Sequence, residues 1–370
     1  MPTDADKAAN ARWLRLAPIK IGLLGSEWKS FRREVDMAFE EGIERGLLDR
    51  RYEIIWEESA GLPQDTAQDG IAAYNRLCDA GCLVVLGANY TDAAIPLVEE
   101  TEKRKIPIIS MCGTDQFHGE YCFRVGNGDV GDEPALIASW LRNEGHGSIA
   151  VIAPASPIGE EYFFFLRQEC RRQGILIKSV ETITTAVRDL PEVLARARAA
   201  NADALVWCGY GGLFVSDQVR KALTEINWDP PRIVTTAFMQ YIFGFDHFEG
   251  WVGIDQWCPE NPRMHLFHQR FVERFKEDPR AWPNAIPCLT YDMAAIAVEG
   301  IHRAPILTGT GIKKGIERIR YLPAVTGGPN THIAGGPWDH QMFKGDWLHY
   351  GRVRNGKLEF AGLFKASDAY

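Results

Sequence analysis

Short apolar runs alternate with helical spacing of apolar residues along the first 125 positions, and this alternation limits the chain to few folds. Ile19–Gly25 is a continuous apolar run, and apolar residues recur at helical spacing over Arg32–Arg45. The predicted strands that follow are Tyr52–Trp56, Cys82–Gly87 and Ile106–Met111, and the predicted helices between them are Thr66–Ala80 and Asp92–Arg104. Continuous apolar strands separated by helices are typical of a parallel sheet covered on both faces.

The same alternation then restarts, which predicts a second unit of similar build. The predicted helices are Ala135–Asn143, Glu160–Gln173, Leu190–Ala200 and Val215–Ile226. The predicted strands are Ser148–Ala153, Ile175–Glu181, Ala204–Cys208 and Arg232–Thr236. Two further helices are predicted at His265–Lys276 and Tyr291–Ile301, and a hairpin turns at Asn355-Gly356 between Trp347–Val353 and Lys357–Phe364. A chain of 370 residues also exceeds what one compact core holds. The sequence therefore predicts an α/β protein of two Rossmann-like lobes.

Composition narrows the partners and the compartment. The net charge of −8 argues against binding nucleic acid, and no apolar run reaches the 18 residues that span a membrane. The first residues show no basic region followed by an apolar segment, and eight scattered cysteines are typical of buried reduced thiols. We expect a cytoplasmic protein if the sequence is complete, and a periplasmic or extracellular one if a signal peptide was removed.

The candidate site follows from the predicted sheets, because ligands of open parallel sheets bind beyond the carboxyl ends of the strands. The loops at those ends are rich in small hydroxyl residues and aromatics. In the first half they contribute Ser26, Trp28, Asn89, Tyr90, Thr91, Cys112, Gly113 and Thr114, and in the second half Ile158, Tyr210 and Phe238. Either Thr91 or Asp92 is predicted to cap the helix that starts there. The free N–H groups of that helix end would then face the cleft and could bind a carboxylate or amide oxygen. The alternative is that Thr91 is a cap without a ligand. The aromatics are pocket walls or ordinary packing between the lobes.

Patterns for catalysis, metals and cofactors are weak. Gly25-Ser26-Glu27 lacks the three glycines that a dinucleotide needs, and His265 and His268 have no adjacent carboxylate to complete a metal site. Cys112 is the one candidate nucleophile, because helix dipoles at its predicted loop could lower its pKa. A structural thiol is the competing interpretation, and no general base can be assigned to it. We expect no enzyme activity, no cofactor and no metal.

The order of these segments resembles the type I periplasmic binding proteins, in the branch of Leu/Ile/Val-type substrate-binding proteins of ABC transporters. The resemblance runs from about Ile19 to Phe360. Its residues are IKIGLLG at the start, VVLGANYTDAAIP with KIPIIS, Phe123-Arg124-Val125, IAVIAPASPIGEE, ARARAANADALVWCGYGG and Tyr291-Asp292-Met293. The chain is also similar to the cytoplasmic amide-sensing regulators built on this fold.

The resemblance implies two lobes joined by a hinge that the chain crosses three times, near Arg124–Gly128, Gly253–Trp257 and Ala334–Trp338. Lobe 1 would comprise residues 17–125 and 256–334, and lobe 2 residues 126–255 and 335–370, with the ligand cleft between them. In the family, a hydroxyl residue after the third strand and the small turn after the fourth hold a ligand carboxylate or amide. Those positions correspond to Thr91, together with Asn89, and to Cys112, Gly113 and Thr114, and we add Tyr291 at the late helix.

Two departures from the family pattern bear on the ligand. Ile158-Gly159 replaces the family's Tyr-Gly turn, and Ala237-Phe238-Met239 lacks the carboxylate that would bind the ammonium of an amino acid. We therefore expect a carboxylate or amide other than a free α-amino acid, although Asp92 or Glu27 could still bind an amine. The implied function is small-ligand binding with hinge closure, with an ABC permease as partner. The alternatives are a cytoplasmic sensor that regulates a partner protein, and an enzyme on this scaffold that uses Cys112.

Overall fold

A computed structural model describes residues 16–26, 28–59, 65–184, 189–209, 212–236, 245–278 and 285–363. The first sheet has five parallel strands in the order β2-β1-β3-β4-β5. Its strands are β1 (Ile19–Leu24), β2 (Tyr52–Glu57), β3 (Val84–Gly87), β4 (Ile108–Ser110) and β5 (Cys122–Arg124). The residues of β1 and β3 are almost all buried, because helices cover both faces of this sheet.

The helices of the first half are α1 (Trp28–Glu44), α2 (Ala67–Asp79), α3 (Thr91–Ala94) and α4 (Leu97–Arg104). Three helices from later in the chain are α9 (Pro262–Phe275), α10 (Ile286–Arg303) and α11 (Gly309–Ile316). Helix α10 packs against α1, against α11 and against β3 and β4, so this late segment covers the first sheet. It is buried along nearly its whole length, with Met293, Ile296 and Ala297 at 0% exposure.

The second sheet has seven strands in the order β15-β14-β10-β9-β8-β6-β7. Its strands are β6 (Ser148–Pro154), β7 (Leu176–Ile183), β8 (Ala204–Trp207), β9 (Arg232–Val234), β10 (Val252–Asp255), β14 (His349–Arg354) and β15 (Lys357–Leu363). Helices α5 (Asp132–Asn143), α6 (Pro157–Gln173), α7 (Leu190–Ala199) and α8 (Gly212–Glu225) belong to this half. The hairpin of β14 and β15 turns at Asn355-Gly356, as the sequence predicts, and pairs antiparallel with β10.

The two sheets repeat one strand order. Reading β6 to β10 as first to fifth, both sheets run second, first, third, fourth, fifth. This order confirms the prediction of two lobes of similar α/β build. In such a sheet the strand order reverses between the first and third strands, and a crevice opens there at the carboxyl ends. The loops after β1 and β3, and after β6 and β8, flank those two crevices.

The structure corrects several predicted elements. The helix predicted over Asp92–Arg104 is two helices, α3 and α4, separated at Ile95 and Pro96. Sequence reasoning missed β5, β10, helix α11 and a small antiparallel sheet of β11 (Leu322–Pro323), β12 (His332–Ile333) and β13 (Phe343–Lys344). Helix α11 was missed because three glycines dilute its pattern, although Thr308 caps it by accepting a hydrogen bond from the Gly311 N–H.

Three chain segments meet between the lobes and bond to one another. The Gln256 side chain accepts from the Gly128 N–H at 2.9 Å and donates to the Gly126 carbonyl at 3.0 Å. The Arg124 N–H donates to the His340 carbonyl, and the Met342 N–H donates to the Arg124 carbonyl. The two-lobed fold thus has three bonded segments between its lobes. We propose that the chain crosses between the lobes at the predicted Arg124–Gly128 and Gly253–Trp257, and near His340–Met342, shortly after the predicted Ala334–Trp338. The lobe boundaries that the sequence predicts stay a prediction.

Candidate functional site

A sharply bent turn follows β3. Gly87 has φ +129°, and a Cβ there would lie 1.9 Å from the Leu24 carbonyl oxygen, so only glycine fits. Ala88 adopts φ +54°, a left-handed conformation that non-glycine residues rarely hold. The Ala88 N–H donates to the Leu24 carbonyl, and the Asn89 side chain accepts from the Met111 N–H at 3.2 Å. This strained turn fixes the backbone ahead of Thr91, and such strain is concentrated at functional sites.

Thr91 is the most unusual polar residue of this turn. Its side chain is 1% exposed, and its Oγ1 has no hydrogen-bond partner. The prediction that Thr91 or Asp92 caps the helix is wrong, because Tyr90 is the N-cap and makes no side-chain capping bond. The four residues of α3 also give it a much smaller dipole than one long helix would have. The Thr91 hydroxyl is therefore free to bind something other than the backbone of its own helix.

Asp92 lies beside Thr91 and is partly buried. Its Oδ1 is buried without a hydrogen-bond partner, and burial raises the pKa of its carboxyl. Helix α3 packs against α6 of the other half of the chain. Thr91 and Asp92 thus lie where the two lobes approach each other.

The loop after β4 is built on Ser110. The Ser110 hydroxyl donates to the Ala88 carbonyl at 2.7 Å and accepts from the Cys112 N–H at 3.0 Å, which joins this loop to the turn after β3. Cys112 is fully buried, and burial raises the pKa of its thiol to about 11. The expected lowering of this pKa is therefore wrong, because loss of hydration outweighs the local dipoles. Cys112 packs in the core, and burial favours its protonated thiol, as in a structural cysteine.

Thr114 bonds across to the other lobe. Its hydroxyl donates to Oε2 of Glu161 on α6 at 2.6 Å, and the Asp115 N–H donates to Oε1 of the same carboxylate at 2.9 Å. Thr114 is 0% exposed. Sequence reasoning missed Glu161, because nothing in the pattern of the predicted helix distinguishes it from a solvated glutamate.

Arg124 holds the same loop from the hinge side. Its guanidinium donates to the Thr114 and Gly113 carbonyls and pairs with Asp129 at 3.2 Å and with Asp115 at 3.6 Å. The Arg124 side chain is only 11% exposed. The arginine therefore couples the strand-end loop to the first hinge segment.

Glu133 makes a comparable connection in the second lobe. This fully buried carboxylate accepts hydrogen bonds from the Tyr162 hydroxyl, the Asp129 N–H and the Thr236 N–H. Burial raises its pKa to about 8. Thr236 follows β9, so Glu133 links the hinge to a strand-end loop. Neither Arg124 nor Glu133 was assigned to the site from sequence, although Arg124 lies in a segment that carries the resemblance.

The other predicted site residues lie in several places. Ser26 lies at the carboxyl end of β1, where its N–H donates to the Ser59 carbonyl, and Tyr90 is 37% exposed beside Thr91. Ile158 is buried in the first turn of α6, which Ser156 caps. Trp28 begins α1. Tyr210 and Phe238 lie outside the residues that the structure describes.

Tyr291 is the predicted site residue that the structure places elsewhere. Its hydroxyl donates to Glu41, in the last turn of α1, and its ring packs against Phe267. Because α1 runs back along the sheet, its last turn lies towards the amino ends of the strands. The structure therefore brings Ser26, Asn89, Thr91 and Gly113–Thr114 to one edge of the first sheet and does not bring Tyr291 there.

The described residues contain neither a candidate metal cluster nor a membrane-spanning helix. In those ranges no cluster of three His, Cys, Asp or Glu side chains could hold a metal ion. His265 lies near the Pro259 carbonyl and His268 near Asp278, so the two imidazoles have separate partners. No helix within the same ranges is long and apolar enough to cross a bilayer. Seven of the eight cysteines are buried, as their apolar context predicts.

A family model described as periplasmic binding protein matches residues 19–349. The chain belongs to this family. A search of curated proteins finds no significant match. The resemblance stated from the sequence is confirmed, and the two-lobed fold is the type I fold of this family.

Solved structures similar to this periplasmic binding protein share its fold at low identity. An ABC transporter substrate-binding protein from Desulfitobacterium hafniense, in complex with Leu, has a TM-score of 0.77 at 16% identity, over 93% of this chain and 100% of the other. A leucine-binding protein from Thermotoga maritima has a TM-score of 0.76 at 17% identity, over 95% and 99%. A solute-binding protein from Rhodopseudomonas palustris, in complex with 3,4-dihydroxybenzoic acid, has a TM-score of 0.74 at 17% identity, over 94% and 98%.

Proposed function

We propose that this periplasmic binding protein binds a small organic ligand in the cleft between its lobes, as the solute receptor of an ABC transporter, and that it is not an enzyme. The observation that carries the proposal is the Thr91 hydroxyl, which is buried and unpaired at the edge where α3 packs against α6. A buried hydroxyl without a partner costs about 1–3 kcal/mol. A ligand that bonds to it would recover that cost.

We propose a carboxylate or an amide as the ligand class, rather than a free α-amino acid. The loop Ala237-Phe238-Met239 offers no carboxylate to bind an ammonium group. Similar proteins have been solved with leucine, with isoleucine and with 3,4-dihydroxybenzoic acid, so this fold accepts both amino acids and an aromatic acid. The ligand would contact Ser26, Asn89, Tyr90, Thr91 and the loop Cys112–Thr114 from lobe 1, and Ile158, Tyr210 and Phe238 from lobe 2.

Closure would bring the lobes together about the three segments that connect them. The bonds from Thr114 and Asp115 to Glu161 join the lobes and support a closed arrangement. The permease would then distinguish the closed receptor from the open one.

Native mass spectrometry of the purified protein, followed by denaturation and identification of the released molecule, tests the proposal. We expect one intact small molecule per chain, with a carboxylate or amide group. After removal of that molecule by unfolding and refolding, its return should lower the radius of gyration measured by small-angle scattering. Chemical conversion of the molecule on incubation, or identical scattering with and without it, would contradict the proposal.

A further inference from the structure

The Glu161 side chain accepts hydrogen bonds from two donors of the loop after β4. Both carboxylate oxygens of Glu161 are bonded, one to the Thr114 hydroxyl at 2.6 Å and one to the Asp115 N–H at 2.9 Å. The Gln116 amide lies 3.5 Å from Oε2. A hydroxyl and a neighbouring backbone N–H that each bond one oxygen form a bidentate carboxylate site, in which charge-assisted bonds are strong.

The resemblance assigns one of these two donors, the Thr114 hydroxyl, to the ligand. Glu161 comes from the second turn of α6, which reaches the loop from the opposite lobe. A ligand carboxylate would therefore have to displace Glu161 to reach this position. It would also bring a second negative charge beside the first, and like charges at that distance repel each other.

The surrounding charges reinforce this exclusion. Asp92 carries a buried, unpaired Oδ1 on the helix that packs against α6. Arg124 is engaged by Asp129 and by the loop carbonyls, and Lys29 pairs with Glu58 and lies over the ring of Trp56. Within the described residues at this edge of the first sheet, Lys29 and Arg124 thus already interact with other groups of the protein. The Thr91 hydroxyl remains, and it both donates and accepts, which suits a neutral amide.

We propose that Glu161 fills the carboxylate position of the cleft and thereby selects a neutral ligand, such as a primary amide, over its carboxylic acid. The proposal rests on the proposed function and narrows its ligand class. The negative charge of the Glu161 carboxylate thus determines which ligands are accepted.

Chemical rescue by acetate tests the carboxylate position directly. The substitution Glu161→Ala removes the two-carbon unit and two oxygens that an acetate ion would restore. We expect 50 mM sodium acetate to raise the Tm of E161A by about 1–2 °C relative to 50 mM sodium chloride, and to leave the wild type unchanged. The double variant Thr114→Val with Glu161→Ala should lose most of this shift, because one of the two donors is gone.

Two matched variants control the experiment. Glu160→Ala removes the neighbouring exposed carboxylate and should show no specific response to acetate. Glu161→Gln keeps the side-chain shape without the charge, leaves no room for acetate, and should show no response either. Equal shifts in all variants, or no shift in E161A, would overturn the proposal.

A matched pair of probes tests the ligand class. We expect calorimetry to give at least tenfold tighter binding of benzamide than of benzoate to the wild type, and loss of that preference in E161A and E161Q. Tighter binding of benzoate to the wild type, or an unchanged ratio in the variants, would contradict the inference. The acetate experiment needs no cleft ligand, so its failure is distinguishable from a failure of native mass spectrometry to find one.

Discussion

Replacement of Thr91 by valine should make the ligand-free protein more stable and the receptor weaker. Valine has the shape of threonine, with a methyl group in place of the hydroxyl. In the folded protein that hydroxyl is 1% exposed and has no hydrogen-bond partner, whereas in the unfolded chain it is hydrated. Thr91→Val therefore removes a group that folding desolvates without compensation.

The size of the effect follows from that desolvation. A buried unsatisfied hydroxyl costs about 1–3 kcal/mol, so the variant should gain about 1–2 kcal/mol in the free energy of unfolding. For a chain of this length the entropy of unfolding converts this gain into a rise in Tm of about 1–3 °C. Affinity for the ligand should fall at least tenfold, because the bond that compensates the hydroxyl in the complex is lost.

Differential scanning calorimetry of the ligand-free proteins and titration with the ligand identified by mass spectrometry measure the two effects. Thr101→Val is the matched control, because the Thr101 hydroxyl is equally buried but donates to the Val98 carbonyl at 2.8 Å. That variant should lose about 1 kcal/mol of stability. A lower Tm for T91V than for the wild type would refute the reasoning, and unchanged ligand affinity would remove Thr91 from the site.

Three further predictions concern the hinge and the cleft loops. Burial raises the pKa of Asp255 to about 7, so the folded protein retains a proton that the unfolded chain releases from about pH 4 upwards. The free energy of unfolding of the wild type should therefore fall as the pH rises towards 7. Asp255→Asn should not show this loss, so its stability relative to the wild type should rise between pH 5 and pH 8. Urea denaturation at the two pH values measures the difference. Gln256→Ala leaves the Gly128 N–H and the Gly126 carbonyl unpaired and should cost about 2–4 kcal/mol in the same assay. Cys112 should resist iodoacetamide at pH 8 in the native protein and react after unfolding, as peptide mass spectrometry will show, since its thiol has a pKa of about 11.

The sequence predicted most strands and helices because each β/α unit is encoded locally. Ile19–Gly25 and Ser148–Ala153 are apolar enough to be buried strands in any arrangement, and they became β1 and β6. Short elements escaped prediction when their stability depends on partners. Strand β5 has three residues, Cys122–Arg124, and exists because β4 and the Gln341 segment lie on either side of it.

The candidate site was predicted only in its backbone positions. The rule that ligands bind at strand ends places Asn89, Thr91 and Thr114 at one edge of the first sheet, where the structure also has them; that they bind a ligand stays a prediction. It could not predict that Thr91 is unpaired or that Thr114 bonds to Glu161, because both facts depend on how the two lobes meet. Tyr291 illustrates the opposite error: its partner Glu41 is 250 residues away in the sequence.

Neither lobe is one continuous stretch of chain, and this has a consequence for how the protein folds. The sheet that begins at residue 19 is covered by α10, and the sheet that begins at residue 148 is completed by the hairpin that ends at Leu363. During synthesis, therefore, the first lobe cannot mature until residue 303 has left the ribosome, and the second must wait for Leu363. Closure of such long loops is entropically costly, so folding should be slow. A nascent chain of 300 residues would still expose both unfinished sheets to chaperones.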